Sequence, residues 1–139
     1  MKKIFILFTI AVLAAGCNKH FEGTDYGKLN GYWEIEKVIM PDGSKKEYGI
    51  NPTIDYLEVK GTAGFRKKAM PQLDGTYRAN DFSENFTIGK EQDKTVLHYN
   101  TQYAKWDEEL LELTDKELVV RNQHNIEYHY KKPEPFTLK

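Results

Sequence analysis

The stretch that decides the fold reads Trp106-Asp107-Glu108-Glu109-Leu110-Leu111-Glu112-Leu113-Thr114-Asp115-Lys116-Glu117-Leu118-Val119-Val120. Leu110, Leu111, Leu113 and Leu118 fit a helical stripe, and no other window of eleven or more residues after Asn30 comes as close. Two features break the helix. Thr114-Asp115-Lys116 is a turn cluster in its middle, and the adjacent β-branched pair Val119-Val120 favours strand. Read as strands 106–113 and 117–121 around that turn, the segment is a hairpin.

Working outward, the same short rhythm covers the chain from residue 31 to residue 132. Segments 32–40, 53–60, 63–70, 76–79, 83–89, 95–100 and 125–131 are rich in Tyr, Ile, Val, Phe and Thr. Turn residues separate them, among them Pro41-Asp42-Gly43-Ser44, Gly61-Thr62, Asp74-Gly75 and Asp93-Lys94. Phe86 and Ile88 share one face, as do Ile126, Tyr128 and Tyr130. The expectation is an all-β fold of eight or nine antiparallel strands in a meander. Such a sheet hides its edges by closing into a small barrel, and about eight strands enclose room for side chains or one small ligand.

Composition says what builds that barrel. The chain has 139 residues and 40% apolar content, but 13 apolar residues crowd into positions 1–17 and leave 42 for the remaining 122. After residue 17 the apolar material includes five Phe, two Trp and nine Tyr, so the core is expected to be aromatic. The balance of 20 Lys+Arg against 21 Asp+Glu lacks the basic excess of a nucleic-acid binder. One cysteine excludes an internal disulfide and a cysteine-rich zinc site.

The crowded front end is an address. Lys2 and Lys3 precede an apolar run over residues 4–15, followed by Gly16 and Cys17. Twelve residues of helix span roughly 18 Å, short of the ~30 Å hydrocarbon core, so the pattern is a signal peptide and not a transmembrane helix. Leu13-Ala14-Ala15-Gly16-Cys17 resembles the lipobox of a bacterial lipoprotein precursor. That resemblance implies cleavage before Cys17, a diacylglycerol on its thiol, and a membrane as the first partner. Residues 1–16 are then the leader, 17–30 a flexible tether, 31–132 the domain and 133–139 a tail. Asn18, in place of the aspartate of inner-membrane retention, implies the outer membrane, while Asn18-Lys19-His20-Phe21-Glu22 loosely resembles a surface-export signal and leaves the membrane face open.

Lys28-Leu29-Asn30-Gly31-Tyr32-Trp33-Glu34-Ile35 carries a Gly-x-Trp, and together with the run over residues 111–120 it resembles the lipocalins, most closely the lipocalin-like lipoproteins of Bacteroidota. The resemblance implies that Trp33 plugs the closed end of the barrel, with Arg121 as the cation stacked on it. It also implies a small hydrophobic ligand, lined by inward members of the set Phe65, Tyr77, Phe86, Tyr99, Trp106, Tyr128 and Tyr130. The same rings also suit plain filling of the core.

Catalytic patterns were sought and none stands out. There is no Gly-x-Ser-x-Gly, no His-x-His and no His-Glu-x-x-His, and Cys17 is committed to lipid. The acids Asp107, Glu108, Glu109, Glu112, Asp115 and Glu117 read as a solvated hairpin, because nothing selects a pair for general acid–base work. Arg66-Lys67-Lys68 reads as a charged edge strand or as a contact for anionic lipid or an acidic partner. The expected protein is a non-enzymatic, membrane-anchored envelope lipoprotein without cofactor or metal. Its partner is a small hydrophobic ligand or, in a structural role, an envelope protein.

Overall fold

The computed structural model describes residues 21–49 and 51–133. The leader, Cys17, the first residues of the tether and most of the tail lie outside the described residues. Ten strands follow a 3-10 turn at Tyr26–Leu29: β1 Gly31–Ile39, β2 Lys45–Glu47, β3 Ile54–Lys60, β4 Ala63–Pro71, β5 Tyr77–Ala79, β6 Glu84–Glu91, β7 Lys94–Asn100, β8 Lys105–Leu113, β9 Glu117–Asn122 and β10 Glu127–Lys131. All pairings are antiparallel, in the order β1-β3-β4-β6-β7-β8-β9-β10, and β10 returns to β1 from Glu34↔Lys131 to Ile39↔Glu127. Eight strands therefore close a barrel, as the strand count led us to expect. β2 extends the β3 side of β1, and β5 extends the β6 side of β4. Sequence reading missed β2, whose Lys45-Lys46-Glu47 is wholly exposed and so carries no apolar alternation.

The segment at residues 106–120 is the expected hairpin, and its helix-like spacing has a physical cause. Leu110 faces Val120 and Leu113 faces Leu118, so three steps on β8 match two on β9. Leu111 is the extra residue of a β-bulge, which lets leucines spaced i, i+3 point into the same barrel. Glu36 does the same on β1, where Ile35 pairs with Tyr130 and Val38 with Tyr128.

The two ends of the barrel differ. At one end the chain enters and leaves, and the β3–β4, β6–β7 and β8–β9 connections are tight. Leu29 and Trp33 are fully buried there, and the Trp33 indole Nε1–H donates to the Leu29 carbonyl at 2.9 Å. Asn30 Oδ1 accepts from the Val59 amide at 2.6 Å, which ties the entry segment to β3. Residues 26–30 thus form an ordered turn against the barrel that sets one of them, Leu29, in the core. Phe21 is docked as well: its carbonyl accepts from the Thr95 hydroxyl at 3.1 Å. Such a segment has no strand alternation, and its single deeply buried residue, Leu29, is invisible to a periodicity search.

The plug also corrects one role. The cation over the Trp33 ring is Lys132, with Nζ 4.0 Å from the centroid and donating to the Asn30 carbonyl at 3.2 Å. Burial lowers the pKa of this ammonium, partly opposed by Asp115. Gly31, at φ +119°, makes room, since a Cβ there would lie 2.9 Å from Lys132 Nζ. Arg121 sits farther along β9 on the outer face and pairs with Glu109 at 2.8 Å.

Leu57, Val59, Phe86, Ile88, Leu97, Leu110, Leu113, Leu118 and Val120 complete the core around Leu29 and Trp33. Its tightest point is Gly64, where a Cβ would lie 2.5 Å from the Glu58 carbonyl oxygen and 2.8 Å from the Phe86 ring. Gly64→Ala is expected to cost about 1–3 kcal/mol, read from urea denaturation, because backbone on one side and a packed ring on the other leave nothing to yield. A second expectation concerns pH. His129 Nε2 is buried without a hydrogen-bond partner and lies 3.5 Å from Glu127. Burial and then Lys37 lower its pKa, against the pull of Glu127. The unfolded chain then binds more protons than the folded one once pH falls below about 6.5, so stability falls through that range. His129→Gln should flatten the change in melting temperature between about pH 7.5 and pH 5.5.

Candidate functional site

At the opposite end, β2 and β5 flare the wall, and the longer connections leave a mouth. Its floor is built by alternation on β4. Gly64, Arg66 and Lys68 point inward, while Phe65 and Lys67 point outward, with Lys67 Nζ 5.4 Å from the Phe65 centroid. The basic run is thus not an edge: β4 pairs with β3 on one side and with β6 and β5 on the other. Two of its three cations enter the barrel.

A buried guanidinium needs partners, and register supplies them. Glu84 is the direct cross-strand neighbour of Arg66 and accepts from its Nε at 3.1 Å. Glu108 on β8, also buried, lies 3.6 Å from Nη1. The guanidinium rests 4.7 Å from the centroid of the Tyr99 ring. Tyr99 in turn stacks on its β8 neighbour Trp106, at 5.0 Å and 3° between planes. The Trp106 Nε1–H donates to Glu108 at 2.9 Å, closing the loop of contacts. Beside this network Lys68 donates to its cross-strand partner Asp55 at 2.5 Å. Burial works against the charge of Arg66, but the carboxylates of Glu108 and Glu84, with the face of the Tyr99 ring, hold the guanidinium charged. Burial also raises the pKa of Tyr99 and of Tyr130, which therefore remain neutral phenols.

Two clefts open above this floor. One of about 300 Å³ is lined by Arg66, Lys68, Trp106, Glu108, Asn122, Tyr128 and Tyr130. The other, about 220 Å³, shares Lys68, Tyr128 and Tyr130 and reaches Trp33, Ile35 and Val38. Beneath them the remaining void is about 10 Å³, the space of a single water. The barrel is filled in depth and hollow only at its mouth.

Of the rings expected to line a cavity, Trp106, Tyr128 and Tyr130 line these clefts. Phe86 and Tyr99 are packed in the core at 3% exposure, 5.1 Å apart. Phe65 and Tyr77 belong to the outside: Tyr77 stacks on Tyr32 at 4.0 Å, Tyr32 meets Tyr56 at a tilt with centroids 4.9 Å apart, and Tyr56 lies 6.2 Å from Phe65. Phe65 faces out because its neighbours Gly64 and Arg66 face in. Phe65 also borders a concavity of about 900 Å³ on the outer wall of β3, β4, β6, β7 and β8. Exposed Glu58, Lys60, Asn85, Thr87 and Asn100 surround it, as on any solvated sheet face. Sequence reading missed Asp55, Glu84 and Glu108 as site residues and misread Arg66 and Lys68. The available signal was alternation, which puts Asp55 between Leu57 and the mouth and Glu108 in line with Leu110. Among the described residues, no group of three or more His, Cys, Asp or Glu is placed to hold a metal.

Comparison with known proteins bears on the whole architecture. The sequence matches the family model described as a lipocalin-like domain over residues 29–120. No curated protein matches it. Among solved structures, the crystal structure of a lipocalin-like protein from Bacteroides uniformis ATCC 8492 at 1.79 Å resolution aligns at 11% identity, covering 77% of this chain and 100% of that one, with a TM-score of 0.47.

The ion network makes a quantitative expectation. Arg66→Met leaves the buried Glu108 and the half-buried Glu84 without their cation and should cost about 3 kcal/mol in chemical denaturation. Adding Glu84→Gln and Glu108→Gln to Arg66→Met should recover a large part of that loss, since the stranded charges are then gone.

Proposed function

Since this chain belongs to the lipocalin-like domain family, we propose that it is a membrane-anchored lipoprotein of the bacterial envelope whose barrel mouth binds a small, partly apolar molecule. The observation that carries the ligand reading is the cleft of about 300 Å³ walled by Trp106, Tyr128 and Tyr130 above a buried ion network. Rigid aromatic walls with a few fixed polar groups are what a small-molecule site requires. The filled core sets the depth: a ligand lies in the mouth and does not thread the barrel. The protein is a binding module and is assigned no reaction.

The anchor reading rests on the lipobox, and the fold supports it geometrically. Phe21 is docked beside β7 at the closed end, and four peptide steps back to Cys17 reach at most about 14 Å. A lipid on Cys17 therefore brings the closed end to the membrane and turns the mouth away from it, toward the aqueous compartment. That compartment is the periplasm or the exterior, and the outer membrane is the proposed site of anchoring.

A second reading, an interaction subunit of an envelope complex, is favoured by a separate observation. Met40, Met70, Leu73, Phe82 and Tyr103 are exposed large apolar residues. All five sit on or beside connections at the mouth end, facing away from the proposed membrane. Capture of one specific envelope protein by crosslinking in whole cells, lost on Leu73→Ser with Phe82→Ser, would move the role of the mouth from ligand to protein.

Two measurements check the main reading. Cys17→Ser should abolish acyl labelling and release the chain from membranes, and persistence of both would remove the anchor. Trp106→Ala should weaken binding of a neutral fluorescent aromatic such as 2-naphthalenemethanol about tenfold, or about 1.4 kcal/mol, with the fold intact by circular dichroism.

A further inference from the structure

The unspent hydrogen-bonding capacity of the cleft tells what it would take. Arg66 gives Nε and Nη2 to Glu84 at 3.1 and 3.4 Å, but its Nη1 meets Glu108 only at 3.6 Å, beyond hydrogen-bond length. Lys68 gives one proton to Asp55, and its side chain is 55% exposed at the entrance. Arg78 borders the same entrance as Lys68, with Asp81 beside it. The acceptors are largely used. Asn122 Oδ1 already accepts from the amides of His124 and Ile126 at 2.9 and 3.0 Å. Glu108 Oε2 accepts from Trp106, and Asp55 and Glu84 are each turned on a cation. Spare donors thus remain at Arg66 Nη1, Lys68 Nζ and the phenol of Tyr130, against one carboxylate oxygen each of Glu108 and Asp55.

A site rich in unspent donors between flat aromatic walls selects a flat ligand carrying acceptors. Resting on the mouth reading above, we infer that the cleft binds a one- or two-ring aromatic carboxylate, its ring between Trp106 and the Tyr128–Tyr130 pair and its carboxylate reaching Lys68 and Arg66 Nη1. Asp55, Glu84 and Glu108 stand against Arg66 and Lys68, three carboxylates to two cations, so the charge of the ligand is met at the solvated entrance, by the remaining protons of Lys68 with Arg78 nearby. This also fixes the size. The void of about 10 Å³ below the cleft admits no long acyl chain. An aromatic amine has the same ring but brings donors to a site already supplied with them.

The test uses the full-length chain labelled with ¹⁵N, which has two tryptophan indole N–H signals. Trp106 reports on the cleft of about 300 Å³, and Trp33, whose indole N–H is held by the Leu29 carbonyl, reports on the adjoining cleft. The probes are 2-naphthoate, 2-naphthylmethylamine, 2-naphthalenemethanol and hexadecanoate. The expected result is a larger shift of the Trp106 signal than of the Trp33 signal, with naphthoate bound most tightly. Lys68→Gln, which keeps a hydrogen-bond donor for the buried Asp55, should weaken naphthoate roughly three- to tenfold and change naphthalenemethanol far less. Tighter binding of the amine, or equal loss for naphthoate and the alcohol in the variant, overturns the carboxylate while leaving the mouth as a ligand site. Tighter binding of hexadecanoate at Trp106 overturns the size limit. No shift of Trp106 with any probe overturns both the carboxylate and the mouth reading.

Discussion

A guanidinium enclosed in an eight-stranded barrel sets the terms for everything around it. Arg66 has its charge fixed by chemistry, so the wall must bring carboxylates to it or the barrel does not close at that level. Glu84 comes from β6 and Glu108 from β8, while Tyr99 on the intervening β7 supplies the face on which the guanidinium lies. Four neighbouring strands are thereby held in one register by a single side chain. The same network fills the barrel at mid-height, which is why the space above it is shallow and polar at its floor.

The two ends of the molecule answer different requirements. The closed end is sealed by a segment that precedes the first strand: Leu29 enters the core, its carbonyl receives the Trp33 indole, and Lys132 covers the other side of the ring. Each element there uses a backbone carbonyl or a ring face that would otherwise lie unpaired. The mouth end is assembled from longer connections and two short extra strands, and it carries the exposed apolar side chains of the described residues. A rigid base and an accessible rim suit a module held at one end and engaged at the other.

Much of this was legible from residues 106–120, where turn chemistry and a valine pair outweighed a helical-looking leucine spacing. The bulge at Leu111 explains that spacing, and it is a property of the pairing between β8 and β9, not of β8 alone. The plug residue Trp33 was legible for a local reason, the Gly-x-Trp at the start of a strand. Its cation was not, because Arg121 and Lys132 are both basic and both near the chain end. Only the register of β9 and β10 turns the first outward to Glu109 and brings the second beneath the ring. Phe65 and Arg66 were exchanged for the same reason: an aromatic beside a cation looks like core beside surface until Gly64, squeezed against Phe86, fixes which face is inside.

Splitting the composition at Cys17 already implied a polar domain built from aromatic strands, and local turn and β-branched signals sufficed for a closed antiparallel meander. These are short-range properties, carried by residues within a few positions of one another. Whether the barrel is hollow, and for what, depends on which carboxylates meet which cations across strands that are 18 to 42 residues apart in the chain, as Arg66 is from Glu84 and Glu108. Such meetings are decided by register and closure. For that reason the filled depth, the shallow donor-rich mouth and the inward place of two charges from a basic run came only with the tertiary structure.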